Sequence, residues 1–128
     1  MSLRSPLGQV LGTGSARDGT AHWWAERVTS TALVPLTVWF IVEMLRLPSL
    51  DYASVKTLIG SAVGALLGSL TVTVMAYHSY LGTTVIVEDY VHAPGLKVTS
   101  LVLLRFAHVL VGGASLFAIM RIAFVSGP

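Results

Sequence analysis

The chain has 128 residues, of which 54% are hydrophobic and only 11% charged. Soluble domains carry roughly 25% charged residues, so this composition excludes an ordinary water-soluble domain and indicates an integral membrane protein of one-domain size. A net charge of +2 with no Lys/Arg run excludes a nucleic-acid-binding surface, and the lack of cysteine excludes disulfides and thiolate-held iron–sulfur clusters in this chain. Any redox chemistry here would use histidine-bound metal, the centres of a partner, or a quinone.

Residues 1–27 read as a polar N-terminal tail and interfacial segment, and residues 28–125 as a three-helix membrane domain. The first 20 residues are rich in Gly and Ser. No apolar core resembling a signal peptide appears in residues 1–22, so the first span is expected to direct insertion. In the approach AHWWAER, Trp23 and Trp24 suit the water–lipid interface. The first span covers about 28–47, with Pro35 as a possible kink. Glu43 and Arg46 stand three apart at its exit, as an interfacial pair. Residues 48–56 read as a loop.

The second span is expected over about 57–87, longer than the roughly 20 residues needed to cross a bilayer. Gly60, Gly64 and Gly68 recur every four residues. This small-residue stripe permits close approach of a neighbouring helix, and packing is its reading. Residues 88–97 read as a second loop broken by Pro94-Gly95. The third span covers about 98–125 and carries Arg105 and His108 in its first half and Gly112-Gly113-Ala114 further on. Three spans place the termini on opposite sides. Arg4, Arg17, Arg27 and Lys97 lie on one side, and Arg46, Lys56 and Arg121 on the other. The positive-inside rule then puts the N-terminus in the cytoplasm, or the matrix. The expected fold is an all-α membrane protein with three transmembrane helices.

His78 is the residue that most calls for a function. An imidazole inside a hydrocarbon span is costly and is by default a functional candidate. Its plainer reading is a hydrogen bond to a carbonyl or to a Ser/Thr of another helix. Neutral imidazole also ligates metals and binds haem iron axially. Gly82, four residues on, leaves room on the same face. Asp89 follows His78 by 11 residues, which returns to nearly the same helix face about 16 Å along. Tyr90 adds a hydroxyl that can donate to a carbonyl at the interface. A quinone head group presents two carbonyls and takes two electrons and two protons, which a Tyr hydroxyl and a nearby carboxylate can help deliver. His22 and Arg27 precede the first span, where they suit an anionic group, either of a cofactor or of a phospholipid. His108 is a competing ligand, and spacing alone leaves a His78–His108 pair open.

His78, Gly82 and Asp89-Tyr90-Val91-His92, with His22 and Arg27 before the first of three spans, resemble the hydrophobic membrane anchor subunit of succinate dehydrogenase. The resemblance covers most of the chain, and the Asp-Tyr-Val-His run looks like the alphaproteobacterial and mitochondrial forms. It implies that His78 is an axial ligand of haem b, with the second ligand from a partner cytochrome b subunit. It implies that Tyr90 hydrogen-bonds ubiquinone with Asp89 in support, and more loosely that His22 and Arg27 contact haem propionates. It transfers no role to His108. The implied setting is respiratory complex II of the tricarboxylic acid cycle and electron transport. There a flavoprotein, an iron–sulfur subunit and two anchors sit at a cell or mitochondrial inner membrane. This chain would be a non-catalytic, multi-pass anchor that contributes to the quinone site and binds neither succinate nor FAD. Two other readings compete: a self-contained haem-binding membrane cytochrome, and a cofactor-free structural subunit of another respiratory complex.

Overall fold

The computed structural model describes residues 16–125, and every secondary-structure element among them is a helix. Four helices follow one another: α1 (Ala16–Arg46), α2 (Tyr52–Gly60), α3 (Ala62–Tyr90) and α4 (Pro94–Val125). The expected Gly/Ser-rich tail falls outside the described residues up to residue 15, as do the last three residues of the chain. From Ala16 onward the approach segment is helical and continuous with the first span, and α1 runs on through Pro35.

Three helices are long and apolar enough to cross a membrane: α1 over Thr20–Arg46, all of α3 and all of α4. At 1.5 Å per residue, 27 to 32 residues span about 40–48 Å, against a hydrocarbon core of about 30 Å. Each helix therefore extends well into the interfaces. Large apolar side chains such as Val34, Leu45, Phe106, Leu110 and Phe117 point outward. In water this would be unstable; in a bilayer these side chains meet lipid or another subunit.

α3 is the centre of the fold. It packs against α1 on one side and α4 on the other, while α2 packs on α3 and α4. Its buried positions are mostly small: Gly64, Ala65, Gly68 and Thr71, then Leu81 and Thr84. Lipid tails are as apolar as Leu, so membrane helices associate through close van der Waals approach, which small residues permit. A methyl added at Gly112 of α4 would stand 3.3 Å from Ala76 Cβ of α3, so the two backbones nearly touch there. Two buried hydroxyls are satisfied within their own helix, Thr71 donating to Leu67 O at 2.7 Å and Thr84 to Tyr80 O at 2.8 Å, while the Ser69 hydroxyl has no partner among the described residues.

Two boundaries differ from the sequence expectation. The second span is not one helix from residue 57; α2 occupies 52–60, most of the expected first loop, and a corner at Ser61 separates it from α3. Asp51 caps α2, accepting from Ser54 N at 2.8 Å. That backbone hydrogen bond, with side-chain bonds from Ser49 and Ser54, holds its carboxyl below the ordinary value. At the corner, the Ser61 hydroxyl donates to Leu58 O at 2.7 Å and accepts from Gly64 N at 3.0 Å. One side chain thus serves the end of one helix and the start of the next. Gly-Ser pairs are a recognised site of sharp helix bends, but apolar residues on both sides hide this one from a hydropathy reading.

The second loop is also shorter than expected. α3 runs on to Tyr90 and α4 begins at Pro94, leaving residues 91–93 between them. Pro94 suits a first helical position, where its missing N–H has no partner to lose. Lys97 Nζ donates to Glu88 O at 2.7 Å, placing a cation at the carbonyl end of α3.

The glycines divide into two kinds, and substitution should separate them. A Cβ at Gly64 collides with the Leu58 carbonyl, whereas one at Gly113 meets nothing within 4 Å. Gly64→Ala should lower the thermal unfolding midpoint of the purified protein in detergent. Gly113→Ala should leave it unchanged or raise it slightly, since Ala favours helix over Gly by up to about 1 kcal/mol. Equal responses would contradict the close approach at the Ser61 corner.

Candidate functional site in the membrane helices

His78 lies on α3 with its ring turned to α1. Its Nδ1 is 2.8 Å from Thr29 Oγ1. Thr29 is only 8% exposed and its hydroxyl also lies 2.7 Å from Ala25 O and 3.1 Å from Glu26 O, one turn back on α1. The plainer reading of His78, a bond to a threonine of another helix, therefore holds for one of its two nitrogens. Nε2 makes no hydrogen bond among the described residues. A Cβ built on Gly82, one turn further on, meets nothing within 4 Å, so this face has open space beside the ring.

The contact also fixes how the ends of the helices align. Thr29 is 17 residues before the end of α1 and His78 is 16 residues after the start of α3, about 26 and 24 Å from the facing ends of the two helices, between which α2 lies in the chain. α1 and α3 are therefore antiparallel, and the start of α1 lies beside the end of α3. Measured from the Thr29–His78 level, Asp89 and Tyr90 stand about 16–18 Å toward that end, His22 about 10 Å and Arg27 only about 3 Å, so Arg27 lies near the depth of His78.

These side chains point apart. His22 and Thr29 are seven residues apart and share a face of α1, while Arg27 lies about 160° around the helix from Thr29. The Arg27 guanidinium stacks 5.4 Å from the Trp23 ring centre, and Trp23 meets Trp24 edge-on at 5.0 Å. His22 Nε2 is occluded and makes no hydrogen bond; Glu26 Oε1 is 3.5 Å away, near enough for attraction if the ring is charged. Asp89 and Tyr90 occupy the last turn of α3 and are exposed, Tyr90 by 78%. Neither the Tyr90 hydroxyl nor the Asp89 carboxylate has a hydrogen-bond partner among the described residues. The Tyr90 carbonyl does: His92 Nδ1–H donates to it at 3.0 Å, so His92 helps close the helix end.

His108 behaves differently. Its Nδ1 donates to Leu104 O at 2.8 Å, which leaves Nε2 to accept from the Ser79 hydroxyl at 3.2 Å. Tyr80 lies edge-on to the ring at 5.8 Å and Arg105 stacks 5.9 Å from Tyr80. Both ring nitrogens are used inside the chain. Ser79 is also one residue from His78, about 100° around α3, so the two histidines address different neighbours and do not face each other. Thr29 is the residue that sequence reasoning missed. A threonine interrupts an apolar span only mildly, and only the antiparallel register shows that this one sits level with His78.

Three helices long and apolar enough to span a membrane, with a histidine inside one of them, define a small multi-pass membrane subunit. The sequence matches the succinate dehydrogenase/fumarate reductase transmembrane subunit family over residues 1–119, and the chain belongs to that family. It is 28% identical over 107 residues to the succinate dehydrogenase hydrophobic membrane anchor subunit of Rickettsia typhi, covering 84% of this chain and 86% of that one. It is 33% identical over 90 residues to the subunit of the same name in Paracoccus denitrificans, covering 70% of each. The membrane anchor subunit of Reclinomonas americana is 23% identical over 92 residues, 70% of this chain and 77% of that one. No solved structure matches significantly. This chain is thus a multi-pass membrane anchor, a non-catalytic member of an oxidoreductase complex that works with other subunits.

The assignment of His108 to packing has its own test. Ser79→Ala removes the partner of Nε2 and should cost about 0.6 kcal/mol, the average for a hydrogen bond between membrane helices. Equilibrium unfolding in mixed micelles would read it. A loss of several kcal/mol would mean that this bond carries more than helix packing.

Proposed function

We propose that the chain anchors a succinate:quinone oxidoreductase, that His78 would ligate the iron of a haem b shared with a cytochrome b subunit, and that Tyr90 and Asp89 form part of the ubiquinone-reduction site. The observation that carries the haem reading is the division of labour on the His78 ring. Nδ1 is tied to α1, Nε2 has no partner, and Gly82 leaves space on the same face. These residues fit a haem. His78 would hold the iron, and His22, with its occluded and unbonded Nε2, fits a propionate better than Arg27, which this chain turns aside to Trp23. When bound, haem b supplies a one-electron store near the quinone.

The chain offers a single unused histidine at that depth, so the second ligand would come from the partner. This favours a shared haem over a self-contained cytochrome. The charge distribution supports a cytoplasmic or matrix-side start of α1, and with it Tyr90, where the iron–sulfur and flavoprotein subunits would dock. There the Tyr90 hydroxyl donates to one quinone carbonyl. Asp89, on the next residue, orients it or relays protons as negative charge builds on the oxygen. The exposure of both side chains suits a site completed by other subunits.

Two variants of the whole complex test this reading. His78→Leu should abolish or convert the bis-histidine haem spectrum in a reduced-minus-oxidised scan; an unchanged spectrum contradicts the ligand assignment. Tyr90→Phe deletes only a hydroxyl, worth about 0.5–1.5 kcal/mol to a neutral partner and more as charge develops. It should slow quinone reduction while succinate oxidation with an artificial acceptor stays near normal and haem remains bound. Unimpaired quinone reduction would remove Tyr90 from the site. A wild-type complex without haem would favour the cofactor-free structural subunit.

A further inference from the structure

We infer that Thr29 is the positioning residue of the His78 site: its hydroxyl receives the Nδ1–H of His78, which reserves Nε2 for iron and strengthens the ring as a donor. This rests on the reading that His78 ligates haem.

The argument begins with counting protons. A threonine hydroxyl has one proton and two lone pairs. Thr29 Oγ1 lies 2.7 Å from Ala25 O and 3.1 Å from Glu26 O, the positions a helical threonine uses when it bonds back to the preceding turn. Carbonyls only accept, so the hydroxyl proton is spent there. What remains at Oγ1 is acceptor capacity, and the third group within reach is His78 Nδ1 at 2.8 Å. With the hydroxyl proton given to a carbonyl, the ring donates. A neutral imidazole with its proton on Nδ1 carries its lone pair on Nε2. The tautomer follows from the threonine.

Burial gives the bond its strength. Thr29 is among the most buried residues of the fold, and no other described side chain competes for its oxygen. In such surroundings a hydrogen bond is stronger than in water, and a chain of them is mutually polarised. Here the chain runs from the imidazole N–H to the hydroxyl to the Ala25 carbonyl. Metal-bound histidines commonly donate their other N–H in this way, which fixes the ring's orientation and raises its basicity. A more basic ligand favours ferric over ferrous iron, so the Thr29 bond lowers the haem midpoint potential. The bond also couples the ligand to α1, whose first turns carry His22 and Arg27.

The test uses the complete membrane complex carrying Thr29→Val, Thr29→Ala or Thr29→Ser. Valine keeps the branched shape and loses the hydroxyl; serine keeps the hydroxyl. Haem content, midpoint potential and the ferric electron paramagnetic resonance signal are read for each. Val and Ala should shift the potential upward, alter the ferric signal and weaken haem retention, by roughly the 10–100-fold typical of losing such an outer partner. Ser should restore all three. A Val variant with reduced thermal stability but wild-type potential and signal would make Thr29 a helix joint only and overturn the inference. If neither Val nor Ala assembles, the wild-type complex decides. Electron–nuclear double resonance should find an exchangeable proton on the remote nitrogen of the ligand, and its absence overturns the inference. Haem that survives His78→Leu unchanged removes the functional reading and this inference with it. Haem lost in His78→Leu but indifferent to Thr29 overturns this inference alone.

Discussion

The hydrogen bond between Thr29 and His78 is the interaction on which the rest of the molecule turns. A polar ring in a span that lipid surrounds needs partners, and water is not available to supply them. Thr29 supplies one, at 2.8 Å, from a neighbouring helix. That contact fixes α1 against α3 in antiparallel register and brings the start of α1 to the end of α3. Because the register is fixed, His22 is carried toward the end of the bundle that holds Asp89 and Tyr90, more than sixty positions away in sequence, while Arg27 stays near the depth of His78.

Around this joint many polar groups are satisfied locally. Thr71 and Thr84 return their hydroxyls to their own helix, Ser61 serves two helix ends at once, and His108 bonds a carbonyl of its own helix through Nδ1 and Ser79 of α3 through Nε2. Against that background, the groups without a hydrogen-bond partner among the described residues include His78 Nε2, His22 Nε2, the Ser69 hydroxyl, the Asp89 carboxylate and the Tyr90 hydroxyl. In a medium where unmet hydrogen bonds are costly, they are the natural points for a cofactor, a substrate or another subunit. The outward-facing Leu, Val and Phe side chains say the same of the helix surfaces, which are finished only by lipid and partner chains.

Much of this was legible in the sequence, for physical reasons. Apolar runs longer than a bilayer requires have few alternatives to a membrane helix, so the three spans could be read directly. His78 stood out because charge and polarity are rare at that depth. Asp89 and Tyr90 stood out because a helical repeat places Asp89 on the same face. The corner at Ser61 was hidden, since Leu58, Ile59, Ala62 and Val63 make a continuous apolar run across it. The role of Gly64 was hidden with it: the glycine stripe does pack, but at Gly64 the near neighbour is the Leu58 carbonyl across that corner, and no separate span lies there. Thr29 was hidden for a different reason. A threonine barely interrupts a hydropathy profile, and its value depends on register between helices, which no single-chain periodicity carries. The His78–His108 ambiguity was also three-dimensional: equal depth left it open, and the 100° between His78 and Ser79 on α3 resolves it.

The most direct measurement is an experimental structure of the assembled complex at a resolution that shows ring orientation. The account predicts iron bonded to His78 Nε2, the Nδ1 of the same ring within hydrogen-bonding distance of Thr29 Oγ1, and a histidine of another subunit on the opposite side of the iron. A haem ligated by two residues of other chains, or a His78 whose Nε2 is packed against protein, would contradict it.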